Sequence, residues 1–489
     1  MRIEMKIFDF IKLLERFEPR FTDLDDSDIV KITADSREAS NGYAFFCVRG
    51  SKSDAHDFIG SAFANGAPLV VGEKPLELRN YVQISSVRDA LDEILPGFYG
   101  YPDRKGAAIG VTGTNGKTST TFIVEHILEK SMSCGVIGTL HYKYADRLIP
   151  AENTTPVNWR WYSLLDDMRR CGVEAVISEV SSHALAENRI GKTLFDVVVF
   201  TNLTRDHMDF HKTVENYYEA KRRLFTEHLT EGGTAVINID DEFGRRLCSE
   251  LPAGVNLIRI STADRSAELF VKILELTTAG SRIRLEMDGF SEELTIPLVG
   301  KFNIYNAAGS FAAAQIFVGR ETAAKRLAEG VSVPGRLERI GRSSVFVDYA
   351  HTPDALENVL NTLNELGVYS KIITVVGAGG DRDRGKRPLM GAVSCRLSDM
   401  VILTDDNPRT EDPDAIVSEI FAGCDTSRCR VEIVRDRASA IRRAIESSDE
   451  KTAVLIAGKG AEDYQITKSG KHHFSDREEV EKVLKEREA

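Results

Sequence analysis

Between positions 107 and 239 the chain alternates short apolar runs with amphipathic stretches. The runs at 107–112, 175–180, 196–202 and 234–239 have strand length, and helical spacing fills the intervals. Such alternation predicts a parallel sheet covered on both faces. From about 268 to 298 apolar and polar positions alternate (LFVKILEL, SRIRLEM, EELTIPL), which predicts a small antiparallel sheet added to the central region. Pro334-Gly335 then punctuates the chain, and a second β-α series follows at 345–349, 372–376, 400–404, 431–434 and 453–457. Before Tyr101-Pro102-Asp103 the elements are shorter, with strand candidates at 43–48 (YAFFCV) and 68–71. The expected architecture is α/β with three domains, over residues 1–103, 104–333 and 334–489.

Composition narrows the function classes. A chain of 489 residues with 42% apolar content supports several ordinary cores. The net charge of −12 argues against a nucleic-acid surface and leaves room for a local basic pocket facing an anionic substrate. Seven cysteines (47, 134, 171, 248, 395, 424, 429) are scattered without any CxxC, and read as thiols of a reducing compartment, neither a disulfide frame nor a zinc site. The segment MRIEMKIFDFIKLL has acidic residues in its apolar stretch and no small-residue cleavage site. No apolar run approaches the ~18 residues of a membrane span. A soluble cytoplasmic protein is expected.

The most specific chemistry lies at Val111-Thr112-Gly113-Thr114-Asn115-Gly116-Lys117-Thr118-Ser119. An apolar run leads in and an amphipathic run, 120–130, leads out. A glycine turn between strand and helix aims successive N–H groups and a helix N-terminus at one spot, which suits phosphate. Lys117 would reach the terminal phosphates and the Thr118 hydroxyl would face Mg²⁺. The general pattern wants glycine where Val111 stands, and Gly113 takes over part of that role.

Polar clusters recur after the apolar runs: Glu179-Val180-Ser181-Ser182-His183, TNLTRDH ending at His207, DYAH from Asp348, GAGGDRDRGKR ending at Arg387, DDNPR ending at Arg409, and GKGAE from Gly458. Ligands of open α/β sheets bind beyond the carboxyl ends of strands. Together the clusters predict a cleft between domains. Glu179 and His207 are candidate Mg²⁺ partners. Lys221, in 217–225 (YYEAKRRLF), reads on its own as a solvated lysine on a basic helix face.

The strings TGTNGKTS, EVSSH, TNLTRDHMDFH, GKFN, DYAHTPDAL and GGDRDRGKRPLM resemble the Mur ligases of peptidoglycan synthesis, in order and spacing, over nearly the whole chain. The resemblance implies a UDP-binding domain, a central P-loop ATPase and a Rossmann-like C-terminal domain that binds the incoming amino acid. It implies ATP-driven amide formation through an acyl phosphate. Within the family, NTTP (153–156), DNPR (406–409) and GKGAEDYQ (458–465) are similar to the branch that adds meso-diaminopimelate to UDP-N-acetylmuramoyl-L-alanyl-D-glutamate.

By the same resemblance, Gly113, Thr114, Asn115, Gly116, Lys117, Thr118 and Ser119 hold ATP, with Asn303 and Arg336 at adenine and ribose. Thr118, Glu179 and His207 lie near the metal. Lys221 takes the carbamylated position, which would make it a carboxylate for a second Mg²⁺ and reverses the solvated reading. Ser36, His56, Thr154, Thr155, Ser181 and Arg189 match the UDP-muramoyl-dipeptide contacts. Arg387, Asp406, Asn407, Arg409, Gly458 and Glu462 match the diaminopimelate pocket. Ala461 replaces the histidine usual in GKGHE, and Glu187 stands where glutamine is common, a second carboxylate that Arg189 has to compensate. The expected protein acts as a monomer. The alternatives are a lysine-adding ligase, a folylpolyglutamate synthase or, from another class, a nucleotide-binding regulator.

Overall fold

The computed structural model describes residues 4–50 and 53–488. The chain divides into two compact units, residues 1–110, 132–198 and 220–234 in one and residues 111–131, 199–219 and 235–489 in the other. Three strands, Ala107–Thr112, Phe195–Phe200 and Leu229–Asn238, have residues in both units.

In the first unit, Lys31–Thr33, Tyr43–Phe46, Leu69–Gly72 and Tyr81–Gln83 pair in parallel in that order. A larger sheet begins with the antiparallel hairpin Arg147–Pro150 and His141–Tyr144. It continues through Cys134–Ile137 and Ala175–Glu179, a parallel pair, and then Ala107–Thr112 and Phe195–Phe200. Ala175–Glu179 is buried at every position, as a strand covered on both faces must be. Cys134–Ile137 (CGVI) and the hairpin beside it are absent from the apolar reading above, because four residues with one glycine fall below a recognisable run.

In the second unit, Asn256–Ser261 is followed by Leu269–Thr277, Gly280–Met287 and Phe290–Ile296. The last three pair antiparallel, as the alternation predicts. Asn256–Ser261 pairs in parallel with Leu269–Thr277 at their edge. A six-stranded sheet follows in the order Glu338–Arg339, Val345–Asp348, Thr452–Ala457, Lys371–Val376, Met400–Leu403, Arg430–Ile433. All its pairings are parallel except the first. One face packs on helices Pro353–Glu365, Lys386–Leu397 and Pro413–Phe421 through Leu356, Leu360, Met390 and Ile420. The other packs on Arg437–Glu446 and Asp476–Glu488 through Ile441, Ile445, Val480 and Val483. Sandwiching the sheet in this way places every strand-to-helix loop at one edge.

Candidate functional site

Phosphate-binding geometry begins with two glycines that cannot be anything else. Gly113 has φ +149°, and a Cβ there would stand 1.8 Å from Thr201 Oγ1. Gly116 has φ +88°, and a Cβ there would meet Asn306 Oδ1 at 2.2 Å. With no side chains in the way, the turn lies flat on the end of the sheet and helix Lys117–Leu128 starts directly from Gly116. Asn202 Oδ1 accepts from Asn115 N at 3.0 Å, and Thr201 Oγ1 donates to Asn115 O at 2.6 Å, so the turn is pinned from the neighbouring strand end. Lys117 Nζ folds over the turn and donates to Gly113 O (3.0 Å) and Thr114 O (2.8 Å). Thr118 is buried and its hydroxyl accepts from Arg336 at 3.0 Å. Arg336 also lies over the Tyr349 ring, 4.6 Å from its centroid.

Around the turn stand groups that no motif assigned. Asp354 Oδ2 accepts from Asn115 Nδ2 (2.8 Å) and Thr204 Oγ1 (2.9 Å). Burial pushes the Asp354 carboxyl up, opposed by those bonds. Asp206 is held below the usual carboxylate range, its desolvation outweighed by His207 and His351. His207 itself is exposed, with Nε2 3.5 Å from Asp206 Oδ2. Asn303 is buried and spends its amide inside the protein: Nδ2 donates to Val299 O and Oδ1 accepts from Asn306 Nδ2.

The second group of expected residues sits in the first unit. Glu179 is buried; its Oε1 accepts from Thr139 N (2.8 Å) and its Oε2 from Thr139 Oγ1 (3.0 Å). Thr139 also bonds Thr154 through their hydroxyls at 3.0 Å. Thr155 Oγ1 donates to Glu179 O and accepts from Ser181 N, and Arg189 donates to Thr155 O at 3.2 Å. Thr154, Thr155, Glu179, Ser181 and Arg189 therefore form one connected cluster. Thr139, its hub, lies just past the unrecognised strand Cys134–Ile137. Glu187 pairs with Arg189 at 2.6 Å, the compensation that this second carboxylate requires. Lys221 is 1% exposed, which excludes a solvated basic face.

Farther along the first unit, His56 is a loop anchor. Its Nδ1 faces Asp54 Oδ1 at 2.5 Å and its Nε2 accepts from Glu73 N at 3.0 Å. Ser36 is half-buried, its carbonyl accepting from Asn65 Nδ2.

The third group joins two loops at the edge of the six-stranded sheet. Asn407 Nδ2 donates to Glu462 Oε2 (2.9 Å) and its Oδ1 accepts from Ile466 N (2.8 Å). Gly458 has φ +117°, and a Cβ there would lie 2.8 Å from Asp406 Oδ2. Lys459, missed because lysines in loops are usually solvated, is fully buried. Its Nζ lies 3.2 Å from Glu462, 3.3 Å from Asn407 Oδ1 and 3.7 Å from Asp406.

Two arginines here behave oppositely. Arg387 is fully buried and its fork meets Glu411 (2.9 Å) and Glu419 (2.7 Å), so it braces the loops from beneath. Arg409 is half-buried, has φ +52°, and donates through NH1 to Gly380 O at 2.8 Å. Among the described residues no carboxylate lies within ion-pair distance of Arg409. Glu411, its neighbour in sequence, is taken by Arg387.

The described residues thus hold a glycine turn between strand and helix, a hydroxyl network around the buried Glu179 and a pair of charged loops. Three segments match family domains: residues 28–99 the Mur ligase family catalytic domain, 111–314 the Mur ligase middle domain, and 335–460 the Mur ligase glutamate ligase domain. The chain belongs to the Mur ligase family. It is 40% identical to the UDP-N-acetylmuramoyl-L-alanyl-D-glutamate–2,6-diaminopimelate ligase of Geobacter metallireducens, over 94% of each chain. It is also 40% identical to the Aquifex aeolicus enzyme of that name, over 93% of each. A solved structure of a ligase with this name superposes with a TM-score of 0.67 at 32% identity, over 97% of this chain and 99% of that one.

Proposed function

We propose that the protein is an ATP-dependent ligase that joins meso-diaminopimelate to UDP-N-acetylmuramoyl-L-alanyl-D-glutamate. It would do so as a cytoplasmic monomer of three domains, 1–103, 104–333 and 334–489. The observation that carries the amino-acid assignment is Arg409: a half-buried guanidinium without a carboxylate partner, in a loop that also offers Asp406, Asn407 and Glu462. Diaminopimelate has a carboxylate beside its distal amine, and an arginine fork binds a carboxylate through two N–H bonds. Lysine lacks that carboxylate. A site built around such a contact rejects the analogue without it by up to ~10⁴-fold.

Amide formation from a carboxylate and an amine is unfavourable in water, and phosphorylating the carboxylate supplies a leaving group. The turn's N–H groups and Lys117 hold the transferring phosphoryl, whose charge needs electrostatic help more than covalent help. Thr154, Thr155, Ser181 and Arg189 orient the dipeptide carboxylate. The Asp406–Arg409 loop presents the amine. The Pro334-Gly335 junction would serve as the hinge that closes the site against water.

The family resemblance offers Mg²⁺ oxygen donors at Thr118, at Glu179 and at a carbamate on Lys221. Bound Mg²⁺ would neutralise phosphoryl charge. Among the described residues no three His, Cys, Asp or Glu side chains form a metal site.

The test mixes protein, ATP, the UDP-dipeptide and one amino acid. Phosphate release should require the dipeptide, and meso-diaminopimelate should react far faster than L-lysine at equal concentration. Release without the dipeptide favours a nucleotide-hydrolysing regulator, and faster lysine ligation overturns the amino-acid assignment alone.

A further inference from the structure

We propose that Cys395 and Cys424 form a peroxide-oxidisable thiol pair, whose disulfide would tie helix Lys386–Leu397 to the end of helix Pro413–Phe421. The placement comes from backbone. A Cβ on Gly391 would stand 2.1 Å from Ile420 O, and one on Gly423 would stand 1.8 Å from Pro388 O. Glycine at both positions lets the two helices approach more closely than side chains permit. That approach lays Cys424 Sγ 3.1 Å from the Cβ position of Gly391. Cys395 is one helical turn farther on the same face. Cys395 and Cys429 are buried in the core against which Cys424 packs. All seven cysteines are unbridged.

The chemistry needs one oxidant, hydrogen peroxide. The neighbouring Cys424 and Cys429 thiols hold the Cys395 thiol below its ordinary range, and this favours the thiolate that attacks. Cys424 is partly exposed and gives a small peroxide access to the pair. The Cys395 thiolate attacks one peroxide oxygen, the O–O bond breaks, and with a proton the other oxygen leaves as water. Cys424 sulfur then displaces the sulfenic oxygen from Cys395. The S–O bond breaks, the S–S bond forms, and the oxygen leaves as a second water carrying the Cys424 proton. Two electrons pass from the two sulfurs to peroxide.

The pair lies away from the ligand groups described above, yet both helices reach them. Lys386–Leu397 opens with Arg387, and Pro413–Phe421 carries Glu419, its ion-pair partner. A bond at the far end would clamp the pair of helices that braces the Asp406–Arg409 loop.

The experiment treats the full-length native protein with hydrogen peroxide, alkylates it under denaturing conditions, digests it with trypsin without reduction and identifies cross-linked peptides by mass spectrometry. The expected product joins peptide 387–396 to peptide 410–428, in protein that stays monomeric on a non-reducing gel, loses two titratable thiols and recovers them with dithiothreitol. Cys424→Ser should abolish the product and Cys429→Ser should retain it. A link from 387–396 to the dipeptide 429–430 overturns the pairing. Full alkylation of Cys395 after peroxide, or oxidation confined to Cys171 or to intermolecular dimers, overturns the proposal.

Discussion

The turn at 113–119 and the loop at 406–409 both follow the carboxyl end of a strand, yet they are made of different things. The turn is made of backbone. Its glycines are fixed by contacts at 1.8 and 2.2 Å to a hypothetical Cβ, and its Thr114 and Asn115 N–H groups are pinned to Asn202. The loop is made of side chains whose partners are remote in sequence: Asn407 with Glu462, Arg409 with Gly380, Arg387 with Glu411 and Glu419. A backbone device is local and tolerates little substitution anywhere within it. A side-chain device distributes its work, so its members should fail in distinguishable ways.

The largest effect is expected in the turn. Lys117→Ala removes a preorganised cation from the transferring phosphoryl and should cost roughly 3 kcal/mol or more in kcat, over a hundredfold. Steady-state rates at saturating ATP measure it. Near-normal turnover would mean that this turn does not do for phosphate what its backbone suggests.

The two arginines should separate next. Arg387→Met strands Glu411, held down to about 2 by its Arg387 bond, and Glu419, so stability should fall by about 2–3 kcal/mol, less than for a fully buried pair because both carboxylates keep some water. Thermal unfolding would report it, and diaminopimelate use should decline in parallel. Arg409→Lys should leave the unfolding midpoint in place. It should lower kcat/KM for diaminopimelate by roughly 10–100-fold, because a point charge cannot reproduce a two-bond fork worth about 1.5–3 kcal/mol. A stability loss in Arg409→Lys, or a pure KM effect in Arg387→Met, would dissolve the distinction between brace and contact.

This difference also explains what was legible in the chain. The turn, the parallel strands and the antiparallel extension could be read because each is written in adjacent residues. Glu179 emerged from its strand-end cluster, whereas Arg336 came only through the family resemblance. Lys221 was misread on its own residues, because a lysine in a basic helical stretch carries no local mark of 1% exposure. Lys459 was quoted within GKGAE and passed over for the same reason. Thr139 and Asp354 went unnoticed since their importance lies wholly in partners 40 residues away (Glu179) and 239 residues away (Asn115). His56 and Asn303 show the converse. Both stand at expected positions, but their polar atoms are engaged within the protein.

The smallest effect concerns His351, which the turn side and the loop side both influence. Desolvation first, then Lys386 from the helix below the loop, push its imidazole down to about 4, while Asp206 pulls the other way. Arg336 adds a further cation, the Tyr349 ring lies 4.7 Å away, and Nδ1 donates to Tyr349 O at 2.9 Å, which fixes the neutral tautomer. A neutral His351 means that the folded protein refuses a proton that the unfolded chain accepts near pH 6.5. Its contribution to stability is therefore complete above pH 6.5 and is lost as the pH falls from there toward 4. Histidine-labelled NMR, assigned with His351→Gln, should find the ring signals flat from pH 8 to 5. Titration near 6.5 would instead mean that Asp206 outweighs Lys386 and desolvation, and that the surroundings of the turn, rather than those of the loop, govern this histidine.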